Sequence, residues 1–102
     1  MLTDEQVAQF QRDGYIRGGK VLDDDEVETL RGELKRVIDN ADPTAPQPVS
    51  ISNLSGIESA PVWQIVNIWE ASEPFRALIG NADIAGDIAR LTGAKELRIW
   101  HD

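Results

Sequence analysis

Apolar residues fall at helical intervals over most of this chain and alternate cleanly only near its end. Thr3 and Gln6 stand three apart as a capping box, flanked by Leu2 and Val7 at the positions of a hydrophobic staple. Asp4 and Glu5 fill the first turn, where the helix dipole favours acids. This pattern predicts a first helix to about Asp13, with Val7 and Phe10 inward and Gly14 just past the end. Tyr15-Ile16-Arg17 reads as a short extended segment closed by Gly18-Gly19. The same initiation grammar returns at Leu22 to Val27, and Val27, Leu30, Leu34, Val37 and Ile38 form one apolar stripe. A second helix is predicted over 24–39, with Lys35 and Arg36 complementing its C-terminal dipole. Gly32 inside it weakens the helix, so close packing of a neighbour is expected there.

Pro43, Pro46 and Pro48 break the helical pattern, and the chain is expected to stay loop-like to Pro61. Val62–Trp69 is rich in β-branched and aromatic residues and is predicted as a strand. Ser72-Glu73-Pro74 opens a short helix carrying Phe75, Leu78 and Ile79, which stops at Gly80-Asn81. Asn81 then caps a helix with Ile84, Ile88 and Leu91 on one face, ended by Gly93. In Leu97-Arg98-Ile99-Trp100-His101-Asp102 the period becomes two, with Leu97, Ile99 and His101 on one face. That predicts a strand. An unpaired strand is an aggregation liability, and no turn or return strand follows Asp102. The 102 residues are therefore expected to be part of a larger domain. The fold class expected is α+β, with helices packing on a sheet that has barely begun.

Charge narrows the partners. The formal net charge is −8, with a pI near 4.5, which argues against nucleic acid and anionic membrane surfaces. There is no cysteine, hence no disulfide framework and no thiolate chemistry. The acidic start lacks the basic and apolar regions of a signal peptide, and no apolar run approaches a membrane span. A soluble, cytoplasmic protein is the expectation.

Candidate chemistry is sparse. The single histidine, His101, is expected to be a hydrogen-bonded core or pocket-wall residue, since metal sites need three or four ligands. Trp63 and Trp100 are expected as core aromatics. Gln64 and Asn67 interrupt an apolar strand, so their amides should satisfy a neighbouring loop or point into a cavity. Asp23-Asp24-Asp25-Glu26 lacks the spacing of a calcium loop and reads as a helix cap. Gly18-Gly19-Lys20 lacks the rest of a phosphate loop. Composition and spacing alone describe a soluble, acidic, mostly helical module. Such a module could bind a protein partner through its apolar helix stripe and terminal strand.

Several motifs in order carry a family likeness. Leu-Thr-x-Glu-Gln opens the chain, and Phe10, Asp13, Gly14 and Tyr15 form Phe-x-x-Asp-Gly-Tyr. Glu26, Leu30, Arg31, Glu33 and Leu34 follow in the acid-capped helix. Val66-Asn67-Ile68-Trp69 precedes Ser72, Pro74, Phe75 and Arg76, and Leu91 to Asp102 closes the series. Together these resemble the N-terminal third of the phytanoyl-CoA dioxygenase family. The resemblance implies a non-haem Fe(II), 2-oxoglutarate-dependent oxygenase on a double-stranded β-helix, a jelly-roll barrel that would be incomplete in this chain. Its iron would be held by a His-x-Asp pair and a distal His, and it would hydroxylate a small organic or acyl substrate.

The chain departs from that pattern. His101 and Asp102 are adjacent, a second histidine is lacking, and no residue matches a family iron ligand or catalytic residue. The resemblance therefore implies no catalytic or metal residue within 1–102. It leaves His101 and Asp102 as pocket-lining candidates near 2-oxoglutarate, and Asn67 and Trp100 as candidates near substrate. The chain alone is expected to bind neither cofactor and to be inactive. It divides into a helical buttress (1–41), a Pro-rich connection (42–61) and first strands and helices (62–102) of one domain.

Overall fold

The computed structural model describes all 102 residues, Met1–Asp102. The chain has four α-helices, α1 (Asp4–Asp13), α2 (Asp24–Asp39), α3 (Glu73–Ile79) and α4 (Ala82–Thr92), and two short strands, β1 (Ser50–Asn53) and β2 (Trp63–Val66). A single 3-10 turn, Ile68–Glu70, lies between β2 and α3. The chain forms two compact units: Met1–Asp23 with Gly80–Arg98, and Asp24–Ile79 with Ile99–Asp102.

In the first unit α1 packs on α4. The Thr3 hydroxyl accepts from the Gln6 N–H at 3.2 Å, and the Gln6 side chain accepts from the Thr3 N–H at 2.9 Å. The predicted capping box is thus formed in both directions. Gly14 ends α1 at φ 79° and Gly93 ends α4 at φ 71°, each in the left-handed region. Asn81 caps α4 by accepting from the Asp83 and Ile84 N–H groups, both at 3.0 Å. Leu2 is the buried apolar residue of this unit. Its N–H donates to Asp87 Oδ1 at 2.9 Å, and the Arg90 guanidinium binds its carbonyl and the Asp4 carboxylate. Gln11 donates to the Leu91 carbonyl at 2.8 Å.

In the second unit Val37, Ile68 and Ala71 form the buried core, with Ile65 and Phe75 packed against it. The antiparallel register pairs Ser50 with Val66, Ile51 with Ile65, Ser52 with Gln64 and Asn53 with Trp63. Alternation then places Ile51, Asn53, Trp63 and Ile65 on one face, and Ser50, Ser52, Gln64 and Val66 on the other. The sheet has only these two strands, so each keeps one edge unpaired. Asn53 organises the long hairpin loop: its Oδ1 accepts from Ser55 N–H, Ser55 Oγ and Val62 N–H, while its Nδ2 donates to the Ile57 carbonyl.

Several expectations need correcting. Leu97–Asp102 forms no strand, because its alternating pattern meets no partner strand to satisfy its backbone groups. The strand expected over Val62–Trp69 stops at Val66, since Asn67 turns left-handed at φ 57° and Ile68 begins the 3-10 turn. Ser50–Asn53, inside the segment expected to be loop, is a strand because it holds no proline, lying between Pro48 and Pro61, and β2 supplies its ladder. Gly32 has open space where a Cβ would stand, so no close neighbour explains it. Trp63 and Trp100 are 43% and 90% exposed and are not core aromatics. Gln64 is exposed on the polar sheet face and is not a buried amide.

Candidate ligand-binding groove

The second unit carries an open apolar groove of about 600 Å³. Its lining comes from four elements whose apolar residues converge. The α2 stripe supplies Leu34 and Ile38, one turn apart, and the apolar face of β2 supplies Trp63 and Ile65. Ile68 of the 3-10 turn and Phe75, Leu78 and Ile79 of α3 complete the lining. Asp102 is its one charged member.

A polar clasp in the same unit fixes α2 against the turn into α3. Arg36 grips Glu33 with two hydrogen bonds, Nε to Oε1 at 3.0 Å and Nη2 to Oε2 at 2.8 Å. Its Nη2 also donates to the Ala71 carbonyl at 2.7 Å, and the buried Ser72 hydroxyl donates to Glu33 Oε2 at 2.5 Å. These bonds, Arg36 first and Ser72 second, hold the Glu33 carboxyl down to about 2 from its ordinary 4.5. The fork geometry of guanidinium on carboxylate gives the clasp direction as well as strength. The Arg76 guanidinium of α3 lies 4.8 Å from the centre of the Trp69 ring, a cation–π contact.

The four residues singled out in the sequence do not gather at one site. Asp102 reaches the groove, where its carboxylate accepts from the Ile68 N–H at 3.0 Å. His101 does not line it: the ring is exposed and lies 3.3 Å from the carbonyl of its own neighbour, Asp102. Without a strand at 97–102, nothing carries His101 to a pocket wall. Trp100 is exposed for the same reason. Asn67 is half-buried beside the groove's Ile68; its Nδ2 donates to Glu70 at 3.1 Å, while its Oδ1 is enclosed without a partner. The Trp69 indole N–H is likewise enclosed and unpartnered. The clasp of Glu33, Arg36 and Ser72 went unseen in the sequence. Its one signal was Glu33–Arg36 spacing at i, i+3 on α2.

Chemically the groove offers apolar contact and a single anion. An iron held by two histidines and a carboxylate needs donors this chain does not assemble: it has one histidine, and no three His, Cys, Asp or Glu side chains group to hold a metal. The dianion 2-oxoglutarate needs cationic partners, whereas Asp102 would repel it. The residues present do not fit either cofactor.

Comparison with known proteins gives one partial likeness. Over 54 residues, 53% of this chain, the sequence is 39% identical to a Dictyostelium discoideum protein named phytanoyl-CoA dioxygenase domain-containing protein 1 homolog. The match spans 18% of that relative's length. No family model matches the chain, and no solved structure matches it. No helix is long and apolar enough to cross a membrane.

Proposed function

We propose that this chain is the N-terminal portion of an Fe(II)/2-oxoglutarate-dependent oxygenase related to phytanoyl-CoA dioxygenase, hydroxylating a small organic or acyl substrate. The observation that carries the reading is the 39% identity over 54 residues to a relative of that name. The order of motifs from Leu2 to Asp102 supports it. On this reading the two-stranded sheet is the start of a double-stranded β-helix, extended by further strands across its unpaired edges. The iron ligands and the cationic group that grips 2-oxoglutarate would lie in residues outside these 102. This chain would contribute the α2–α3 scaffold behind the first strands.

The test is 2-oxoglutarate turnover to succinate, with Fe(II) and ascorbate, by the 102-residue chain and by the longer product of the same reading frame. The expected result is no turnover by the 102 residues and turnover by a longer chain that adds a His-x-Asp and a distal histidine. Turnover by the 102 residues alone, or a stop codon directly after Asp102, would overturn the reading.

A further inference from the structure

A buried backbone donor finds its partner far along the chain. Ile68 belongs to the core of its unit with Val37 and Ala71. It is also the first residue of the 3-10 turn, whose internal bonds begin only at the Glu70 N–H, which donates to the Asn67 carbonyl at 3.0 Å. The Ile68 N–H lies ahead of that ladder and must be satisfied from outside it. Asn67 stands where a capping side chain would, yet it makes no cap bond. Its Nδ2 is turned to Glu70 and its Oδ1 accepts nothing. Asp102 supplies the missing acceptor, its Oδ1 3.0 Å from the Ile68 nitrogen across 34 residues of sequence.

The same bond bears on how the chain is divided. Gly80–Arg98 belongs to the first unit, whereas Ile99–Asp102 belongs to the second. Apolar burial does not hold that short segment in place, since Ile99 is 57% and Trp100 90% exposed. The His101 ring meets only the carbonyl of its own neighbour. The Asp102 carboxylate is the side chain of this segment that hydrogen-bonds another element.

We infer that Asp102 is a positioning residue: it lends the 3-10 turn the cap that Asn67 withholds, and so fastens Ile99–Asp102 as a strap to the turn after β2. A carboxylate suits this task. Ionised, it only accepts, and a charged acceptor holds a backbone N–H more strongly than a neutral one. The donor it meets is buried, so the bond is dear to lose. The role is placement and not ligation. This inference stands apart from the oxygenase reading, which 2-oxoglutarate turnover judges separately. Within that reading, Asp102 sets where the chain lies and is no partner of the cosubstrate.

Nuclear magnetic resonance on the 102-residue chain tests it. The parent should show a scalar coupling through the hydrogen bond, from the Ile68 amide nitrogen to the Asp102 side-chain carboxyl carbon. Asp102→Ala should speed exchange of the Ile68 amide by about tenfold, while the Val37 and Ile65 amides of the same unit change by less than about twofold. In that variant the Ile99 and Trp100 amides should gain fast motion. Asp102→Asn keeps an acceptor oxygen and should return Ile68 to within about threefold of the parent, with Ile99 and Trp100 as still as before. Absence of the coupling in the parent, or unchanged Ile68 exchange in Asp102→Ala, would overturn the inference. So would an Asp102→Asn chain no better protected than Asp102→Ala, which would make the charge and not the cap the operative feature. Equal acceleration at Val37 and Ile65 would also overturn it, because the whole unit and not one fastening would then have loosened.

Discussion

Ser72 donates its hydroxyl to Glu33 Oε2 across 2.5 Å, joining the turn before α3 to the middle of α2 through a carboxylate that Arg36 already holds. Thirty-nine residues separate the two side chains in sequence. Because Arg36 also reaches the Ala71 carbonyl, three residues and one backbone group act as a single latch. Removing Ser72 takes one fixed donor from the half-buried Glu33 carboxylate. Ser72→Ala should therefore cost about 1–2 kcal/mol of unfolding free energy in urea titration, the scale of a lost hydrogen bond to a charged group.

The same latch sets an acid limit. The folded Glu33 carboxyl sits near 2, below its ordinary 4.5. A depressed carboxyl releases its proton more readily in the folded chain, so its contribution is complete above about 4.5 and fades as pH falls toward 2. Melting temperature recorded between pH 5 and pH 2 should fall. Glu33→Gln should be less stable at pH 6 and show a flatter decline through that window. A variant curve parallel to the parent's would mean that other carboxylates carry the acid sensitivity.

Leu2 tests the other unit. Its side chain is buried, and its main chain is bound by Asp87 on one side and Arg90 on the other. Leu2→Ala should cost about 2–3 kcal/mol locally, near the low end for a buried leucine because the unit is small and able to relax. Amide exchange should accelerate in α1 and α4 together. Exchange confined to α1 would show that Leu2 does not couple the two helices.

Glycines give a pair of opposite signs. Gly93 holds a left-handed cap at φ 71°, so Gly93→Ala should destabilise by about 1 kcal/mol. Gly32 lies within α2 with open space at its Cβ position. Gly32→Ala should stabilise by about 0.5–1 kcal/mol, read as a higher urea midpoint.

Asn53 carries the hairpin. Three donors converge on its side-chain oxygen. Asn53→Ala should loosen the loop from Leu54 to Val62 at a cost of about 1–2 kcal/mol, seen first as faster exchange of the Val62 amide.

What could be read from the sequence were features fixed within one or two turns of chain. The Thr3–Gln6 box, the Asn81 cap, the Gly14 and Gly93 stops and the limits of α2 depend on neighbours three or four residues away, and all are formed as the pattern predicted. Features that depend on distant partners were not legible. Ser50–Asn53 looks unremarkable until β2 is laid beside it, and Leu97–Asp102 has the alternation of a strand but no neighbour. The groove was half visible: Leu34 and Ile38 were read on one apolar stripe of α2 and Phe75, Leu78 and Ile79 on one short helix, yet that Leu34 and Trp63 stay open to solvent follows from what does not cover them. The long-range Glu33–Ser72 bond has no local signature.

Asn67 gives the sheet one fixed end. Its left-handed backbone at φ 57° turns the chain out of the ladder directly after Val66. β2 runs four residues to that point, about 13 Å of strand. The sheet can gain strands beside it, but β2 offers no rung beyond Val66. Asn67 acts as an end-stop on a ruler, and any segment that pairs with β2 must finish its match there.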